Sequence, residues 1–240
     1  MRVFLRKMAQ KLGYDIMRLP TDPVIRQQID LLGKYRINVI FDIGANTGQY
    51  GQRLRAMGYK GKIISFEPLP EAYGQINEVS ASDSAWTVVN CAMGRYVGET
   101  EINVSGNSYS SSILEVLPAH LESAPQSAFL YKITVPVQTI DSVIDQYYVE
   151  NSRLFVKIDT QGFEKQVFAG GMQSLDKISG FQMELSLVPL YEGETLFYEM
   201  VDLLREYGFK LMLVEGGHRN YDTGEILQVE GYFYREYAQK

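Results

Sequence analysis

Segments with the character of strands and helices alternate along most of this 240-residue chain. Short apolar runs predict strands, and stretches with apolar residues at i, i+3 and i+4 predict the helices between them. This order predicts a doubly wound α/β fold, in which helices cover both faces of a mostly parallel sheet. The predicted parallel strands are residues 37–43, 62–67, 86–91, 153–159, 180–186 and 209–215, and the predicted helices are residues 47–57, 70–80, 139–147, 162–169 and 194–207.

Two segments interrupt the alternation. Residues 99–104 and 132–138 alternate like an antiparallel pair, and residues 105–130 between them are rich in Ser, Gly and Pro without a clear period. So long an irregular loop is usually functional or disordered, so we expect 105–130 to be a mobile lid. Residues 209–215 and 226–235 predict a hairpin, which would end the sheet with an antiparallel strand.

Composition excludes several classes of protein. The net charge of −6 argues against an extended nucleic-acid-binding surface. The lone cysteine, Cys91, leaves no disulfide framework and no cysteine zinc site. The chain lacks an apolar run of about 18 residues and a secretory h-region, so a cytoplasmic location is expected. We predict a helical N-terminal extension over residues 1–36 and a single domain over 37–240.

The N-terminal segment MRVFLRKMAQKLGYDIMRL carries five basic residues against the single acidic Asp15. Its apolar residues fall near helical spacing, which predicts a basic amphipathic helix. Two interpretations stay open. The helix packs on the domain or on a second subunit of an oligomer, or it contacts a membrane surface or an acidic partner.

The first predicted strand runs into FDIGANTGQY (41–50), a strand–turn–helix sequence typical of a cofactor cradle. Asn46 stands where the dinucleotide pattern G-x-G-x-x-G needs its second glycine, and the P-loop sequence is also missing. Asp42 would repel a diphosphate and favour an ammonium group. Glu67 ends the second predicted strand, where an acid can accept both hydrogen bonds of a ribose diol. A cationic amino-acid head and a ribose without phosphate describe S-adenosylmethionine.

Five motifs carry a resemblance to a known family, in the order FDIGANTGQY, ISFEPLPEAY, VVNCAMG, VKIDTQGFE and TGEILQVEGYF. From about residue 38 almost to the end, the chain resembles the FkbM family of S-adenosylmethionine-dependent methyltransferases. The resemblance implies a Rossmann-like, class I methyltransferase fold with seven strands, the last of them antiparallel. It also implies O-methylation of a sugar-containing acceptor, such as a glycan or glycolipid, or of a natural product. Nucleic acid is not expected as the acceptor, because the acidic chain lacks an Asn/Asp-Pro-Pro-aromatic motif and a Pro-Cys nucleophile.

The resemblance further implies which residues bind the cofactor. The methionine end would lie on the glycine turn, the ribose on Glu67 and the adenine near residues 90–92. Cys91 has no cation or histidine beside it, which favours a packed thiol over a nucleophile. The full predicted set is Asp42, Gly44, Asn46, Thr47, Gly48, Tyr50, Glu67, Pro68, Asn90, Cys91, Ala92 and Ser112.

Candidate catalytic residues lie at predicted strand ends and in loops. Asp159 and Glu184 end neighbouring parallel strands, about 4.8 Å apart, so both carboxylates can face one acceptor hydroxyl. They would act as the general base, bind sugar hydroxyls, or hold Mg²⁺. His120, in the segment 105–130, and His218, in the hairpin, are further candidate bases because imidazole titrates near neutral pH.

Two other functions stay open at this point. A non-catalytic module with a cofactor fold, such as a subunit of a glycan-assembly complex, would require loss of the acceptor site. A nicotinamide-dependent oxidoreductase would require a glycine in place of Asn46 and a Tyr-x-x-x-Lys pair, and the sequence supplies neither.

Overall fold

The structure, a computed structural model, describes residues 23–235. They belong to two compact units, which divide after Arg36. Within the first unit, helix α1 (Pro23–Lys34) is followed by Arg36 in the left-handed conformation, with φ of 53°. The predicted basic helix at the N-terminus lies outside the described residues. Within residues 23–235, no helix is both long and apolar enough to cross a membrane.

The described part of the second unit, residues 37–235, contains ten strands in two sheets. The strands are β1 (Val39–Ile43), β2 (Lys62–Phe66), β3 (Trp86–Val89), β4 (Ala92–Met93), β5 (Gly98–Ser105), β6 (Phe129–Gln138), β7 (Leu154–Ile158), β8 (Ile178–Ser186), β9 (Lys210–Gly216) and β10 (Gln228–Tyr234). The main sheet has the order β3-β2-β1-β7-β8-β10-β9. All its strands run parallel except β10, which pairs antiparallel with both β8 and β9. The predicted fold, a mostly parallel seven-stranded sheet whose last strand is antiparallel, is confirmed.

Residues 37–235 also form six α-helices: α2 (Gln49–Ala56), α3 (Pro70–Ser80), α4 (Pro118–Ser123), α5 (Ile140–Tyr147), α6 (Glu164–Ala169) and α7 (Phe197–Glu206). Local side chains explain where some of them begin. At α5, Thr139 and Ser142 form a reciprocal capping box. At α7, the helix begins later than predicted because Glu194 accepts hydrogen bonds from the backbone N–H groups of Leu190 and Tyr191 and so closes a separate turn.

The segment between β5 and β6 is more regular than its sequence suggests. β5 and β6 pair antiparallel, as their alternation predicts, and β4 joins β6 to complete a three-stranded second sheet. In the chain between β5 and β6 lie α4 and a 3₁₀ turn at Pro125–Ser127. Helix α4 has Pro118 in its first turn, a position where the missing N–H costs nothing. The mobility of 105–130 stays a prediction.

The two faces of the main sheet differ in polarity, because successive side chains of a strand point to opposite faces. One face is apolar and belongs to the core that includes residues of α5, α6 and α7, with Phe41, Val156 and Phe181 among its members. The other face carries a row of buried polar residues in register on five adjacent strands: Ser65, Asp42, Lys157, Gln182 and Tyr232. On β1, β2 and β7 this polar row lies one residue before the carboxyl end of the strand, next to the candidate site.

Two helical glycines offer a matched test of the packing. A Cβ at Gly51 of α2 would lie 2.1 Å from the indole of Trp86, whereas a Cβ at Gly74 of α3 would have no atom within 4 Å. Alanine normally favours a helix over glycine by about 1 kcal/mol. We expect Gly74→Ala to raise the free energy of unfolding by about that amount, and Gly51→Ala to lower it by about 1–3 kcal/mol because the rigid indole cannot yield. Urea denaturation measures both, and equal stability of the two variants would contradict this packing.

Candidate functional site

The glycine turn after β1 is shaped by three residues with positive φ: Gly44 at 72°, Asn46 at 46° and Gly48 at 88°. A Cβ at Gly44 would lie 1.9 Å from the carbonyl oxygen of Asp159, so only glycine lets the turn approach the end of β7 this closely. The N–H groups of Gly44 and Ala45 donate to the carbonyl of Phe66, at 3.1 and 3.2 Å. The turn is therefore fixed against the ends of both β2 and β7.

Glu67 lies beside this turn, with its carboxylate 2.7 Å from the N–H of Asn46 and 2.9 Å from the N–H of Leu69. Each bond engages a different oxygen, so each oxygen keeps a lone pair for a further donor. Burial raises the pKa of Glu67 to about 7, although these two N–H groups act in the opposite direction. The geometry fits a ribose diol, which would supply the two missing donors.

A cavity, here called the first cavity, opens between the glycine turn, Glu67, the chain after β3 and the serine cluster 108–113. Apolar side chains such as Leu69, Met93 and Ile102 form part of its wall and suit a flat aromatic base. Burial raises the pKa of the Cys91 thiol to about 11, so this wall residue is a packed thiol. The predicted cofactor residues that line the first cavity are Gly44, Asn46, Glu67, Pro68, Cys91, Ala92 and Ser112.

The remaining predicted cofactor residues support the cavity from behind or lie beside it. The Asn90 amide donates to the carbonyl of Glu67 at 2.8 Å and so fixes the backbone there. The N–H of Thr47 donates to the Asn46 side chain at 2.8 Å, and Gly48 begins α2 as its N-cap. Tyr50 lines an adjoining cleft instead. The structure thus gives these residues supporting positions outside the first cavity.

Lys157, which sequence reasoning overlooked, lies under the glycine turn. Its ammonium donates to the carbonyl of Gly44 at 3.0 Å and lies 3.4 Å from Asp42 and 3.3 Å from Asp159. Burial alone would lower the pKa of Lys157, but Asp159 and Asp42 raise it above its ordinary value, so the amine is charged. Asp42 is fully buried, and the ammonium it faces belongs to Lys157 rather than to a ligand. A lysine inside the apolar strand LFVKI was the available signal.

The structure brings Asp159 and Glu184 together through Gln161. The Gln161 amide Nε2 donates to Asp159 Oδ1 at 2.9 Å and also to Glu184 Oε2, while its Oε1 accepts from the Tyr191 hydroxyl at 2.7 Å. Gln161 has φ of 55°, an uncommon conformation for a residue with a side chain. Glu164 stabilises this turn by accepting from the N–H groups of Thr160 and Gly162 at 2.9 and 3.2 Å.

The two carboxyl groups have different environments. Asp159 pairs with the Lys157 ammonium. Burial raises the pKa of Glu184 well above its usual range, and the nearby charges of Asp159 and Glu230 raise it further. The raised pKa favours the protonated form of Glu184, in which the carboxyl group can donate a hydrogen bond.

The histidines lie elsewhere. His120 is buried beside the rings of Tyr191 and His218, with centroids 5.1 and 5.6 Å away, and its Nε2 lies 3.2 Å from Ser127 Oγ. Burial lowers the pKa of His120 to about 4, and neither histidine lines the first cavity. The structure does not bring His120 to the carboxyl groups, because α4 directs its ring into the interior.

The donor set does not fit Mg²⁺. The Gln161 amide, a hydrogen-bond donor, occupies the position between the Asp159 and Glu184 carboxyl groups where a cation would bind. Among residues 23–235, no group of three or more His, Cys, Asp or Glu side chains is arranged to hold a metal ion.

Comparisons with known proteins bear on this site. The sequence matches the family described as Methyltransferase FkbM domain over residues 42–211, which include the glycine turn, Glu67 and Asp159. It is 27% identical over 199 residues to the 2-O-methyltransferase NoeI of Sinorhizobium fredii, and the match covers 80% of this chain and 81% of that protein. Solved structures with a similar arrangement include the METTL16 methyltransferase domain, at 11% identity and a TM-score of 0.49, with 99% of this chain and 79% of that one covered. TehB from Haemophilus influenzae is another, at 8% identity and a TM-score of 0.46, with 88% and 62% covered.

The buried ion pair under the turn can be tested by removing its cation. Lys157→Met leaves the Asp42 carboxylate buried without its counter-charge, which typically costs about 3–5 kcal/mol of folding free energy. Lys132→Met is the matched control, because Lys132 and Glu115 form an exposed pair worth at most about 1 kcal/mol. Urea denaturation compares the two. The double variant Asp42→Asn/Lys157→Met should recover part of the loss, and a Lys157→Met protein as stable as the control would refute the interaction.

Proposed function

The chain belongs to the FkbM family of methyltransferases, and we propose that it transfers a methyl group from S-adenosylmethionine to a hydroxyl of a sugar, glycolipid or related natural product. Membership of a methyltransferase family implies S-adenosylmethionine as the donor. The choice of oxygen as the methylated atom is supported by the relative whose name describes a 2-O-methyltransferase. The choice of a sugar-like acceptor rests on the family resemblance of the motifs.

The first cavity has the groups that this cofactor needs. Glu67 keeps one free lone pair on each oxygen for the ribose hydroxyls, and the apolar wall around Met93 suits adenine. S-adenosylmethionine would supply an electrophilic methyl group on its sulfonium. The Lys157 ammonium already donates to the Gly44 carbonyl and pairs with Asp42. We therefore infer that the amino-acid end of the cofactor binds other groups of the cavity.

The observation that carries the proposal is that Asp159 and Glu184 line the same cavity as Glu67. A hydroxyl becomes a good nucleophile when its proton is transferred to a base as the new C–O bond forms. Asp159 can accept that proton, and Lys157 and Gln161 hold its two oxygens in place. The raised pKa of Glu184 favours its protonated form, which can donate a hydrogen bond to a neighbouring oxygen of the acceptor. We therefore assign Asp159 as the base and Glu184 as a group that orients the acceptor.

The segment 105–130 contributes to the wall of the same cavity. Ser112 Oγ donates to the carbonyl of Gln161 at 2.7 Å, and Ser108 accepts from the Asn46 amide at 3.3 Å. These contacts join the segment to both the glycine turn and the Asp159 turn. They support the proposal that this segment closes over cofactor and acceptor. Such closure would exclude water from the reaction. A cytoplasmic location also stays a proposal.

The role of Glu67 predicts a pH dependence of cofactor affinity. Ribose hydroxyls donate to the ionised carboxylate, whose pKa in the free protein is about 7. Binding therefore favours the deprotonated form, and affinity should fall as pH falls through 7, by about tenfold between pH 8 and pH 6. Calorimetry with S-adenosylmethionine measures this. Glu67→Gln should weaken binding at pH 8 by about 10- to 100-fold and flatten the pH profile, whereas Glu71→Gln, at an exposed position of α3, should change neither. A Glu67→Gln variant that binds like the wild type would remove Glu67 from the cofactor site.

The function itself is tested by methyl transfer from S-adenosylmethionine to a panel of glycosides and glycolipids, with the methylated atom located by mass spectrometry. Asp159→Asn should lower kcat by about 10²–10⁴-fold, the range for loss of a general base, with cofactor affinity nearly unchanged. Glu184→Gln should cost much less, because an amide still donates a hydrogen bond where a protonated carboxyl did. Equal losses in the two variants would contradict the assignment of roles, and cofactor binding without transfer to any hydroxyl would contradict the proposed function.

A further inference from the structure

A second cavity, here called the second cleft, adjoins the first at the glycine turn. Both are lined by Gly44, Asn46, Tyr109 and Asp159. The other wall residues of the second cleft that matter are Tyr50, Arg53, Lys157, Gln182, Glu215 and Glu230. A group bound in the second cleft would therefore meet a group bound in the first at Asp159, the residue proposed as the base.

The second cleft lies over the polar row of the main sheet. Lys157 and Gln182 are register partners on β7 and β8, and Glu215 and Glu230 are partners on β9 and β10. Central strands of a parallel sheet are normally apolar on both faces. Polar side chains here carry a desolvation cost that the fold does not require, which indicates a function.

One of these side chains has a buried atom without a partner. The Gln182 amide Nε2 donates to Glu230 at 3.0 Å, but its Oε1 is buried and accepts no hydrogen bond. Gln182 is only 3% exposed, so this oxygen is unsatisfied at a cost of about 1–3 kcal/mol. A ligand with a hydroxyl group in the cleft would supply the missing donor.

The charges of the cleft exclude an anionic ligand. Arg53 lies 3.6 Å from Glu215, and Lys157 lies between Asp42 and Asp159, so each cation already faces a carboxylate. Glu230 adds a further acid, whose pKa burial raises to about 7. A phosphate or a uronic acid would meet carboxylates without an uncommitted cation to offset them, whereas neutral hydroxyls can both donate and accept here.

An aromatic side chain stands at the mouth of the cleft. Tyr109 is 61% exposed, and its hydroxyl accepts from the Gln49 amide at 3.0 Å, which holds the ring between the two cavities. The apolar C–H face of a pyranose packs well against such a ring, while its hydroxyls reach the polar floor.

We infer that the second cleft is the acceptor site and that it selects an uncharged sugar ring, which presents one hydroxyl to Asp159 where the two cavities meet. The inference rests on the proposed function, since the first cavity is taken to hold the methyl donor. Gln182 and Glu230 bind the sugar hydroxyls that are not methylated, and Tyr109 supports the ring. In the transfer, the hydroxyl proton passes to Asp159 and a bond forms between the acceptor oxygen and the methyl carbon. The bond from that carbon to the cofactor sulfur breaks, which leaves S-adenosylhomocysteine.

The test measures sugar binding without turnover. Saturation-transfer NMR on the protein loaded with S-adenosylhomocysteine would compare methyl glycosides of neutral hexoses with the corresponding hexuronic acids. We expect the neutral glycosides to bind at least tenfold more tightly. Gln182→Leu, which removes the free acceptor, should weaken that binding about tenfold or more while the affinity for S-adenosylhomocysteine stays within twofold.

A steric variant and its control complete the design. A Cβ at Gly216, which lines the cleft, would meet only the end of the Arg219 side chain at 3.9 Å, so Gly216→Leu adds bulk without a backbone clash. Gly98→Leu is the matched control at an exposed strand position with nothing within 4 Å. Gly216→Leu should abolish sugar binding and Gly98→Leu should not.

The inference is overturned if neutral glycosides fail to bind the wild type, if uronic acids bind equally well, or if both cleft variants bind sugar normally. It is also overturned if the cleft variants weaken S-adenosylhomocysteine instead, because the cleft would then belong to the cofactor. The proposed function fails separately, if the wild type binds the cofactor but methylates no hydroxyl in the acceptor panel.

Discussion

The ammonium group of Lys157 links the parts from which the site is built. It contacts the carbonyl of Gly44 and the carboxylates of Asp42 and Asp159, so one charge joins the turn after β1 to the end of β7. A buried cation is stable only when carboxylates and carbonyls surround it. The close approach of Gly44 to Asp159, with no room for a Cβ, keeps these groups within reach. The position of Asp159, the proposed base, depends on this buried contact.

Much of the fold could be predicted from the sequence because its signals are local. The alternation of strand-like and helix-like hydrophobic patterns identified the parallel strands. The predicted strand ends placed Asp159 and Glu184 together on the carboxyl-end side of the sheet, where the structure also has them. The roles of Lys157 and Gln161 were not predictable in the same way, since they depend on register between strands and on a left-handed turn at Gln161. His120 illustrates the reverse case: its place in an irregular segment near the predicted site made it a candidate base, but a short helix turns its ring toward Tyr191.

Environment, rather than residue type, differentiates the acidic side chains of the site. Asp159 faces a cation, Glu184 is half-buried near other acids, and Glu67 accepts backbone N–H groups. The same chemical group can therefore accept a proton, donate a hydrogen bond or hold a diol within one pair of adjoining cavities. Gln161 connects two of these roles, because one amide nitrogen contacts both Asp159 and Glu184.

The place of β10 in the main sheet has a consequence for synthesis on the ribosome. β8 and β9 are both made before β10, yet each pairs with it, and β10 is the one strand of residues 23–235 that pairs with β9. During translation the edge of β8 stays open until residues 228–234 emerge, and an open strand edge invites pairing with other nascent chains. Glu230 arrives with β10 and belongs to the second cleft, while the strands beneath the first cavity are complete much earlier. The half of the site proposed to bind the cofactor can therefore assemble first, and the half proposed to bind the acceptor is finished only when β10 joins the sheet.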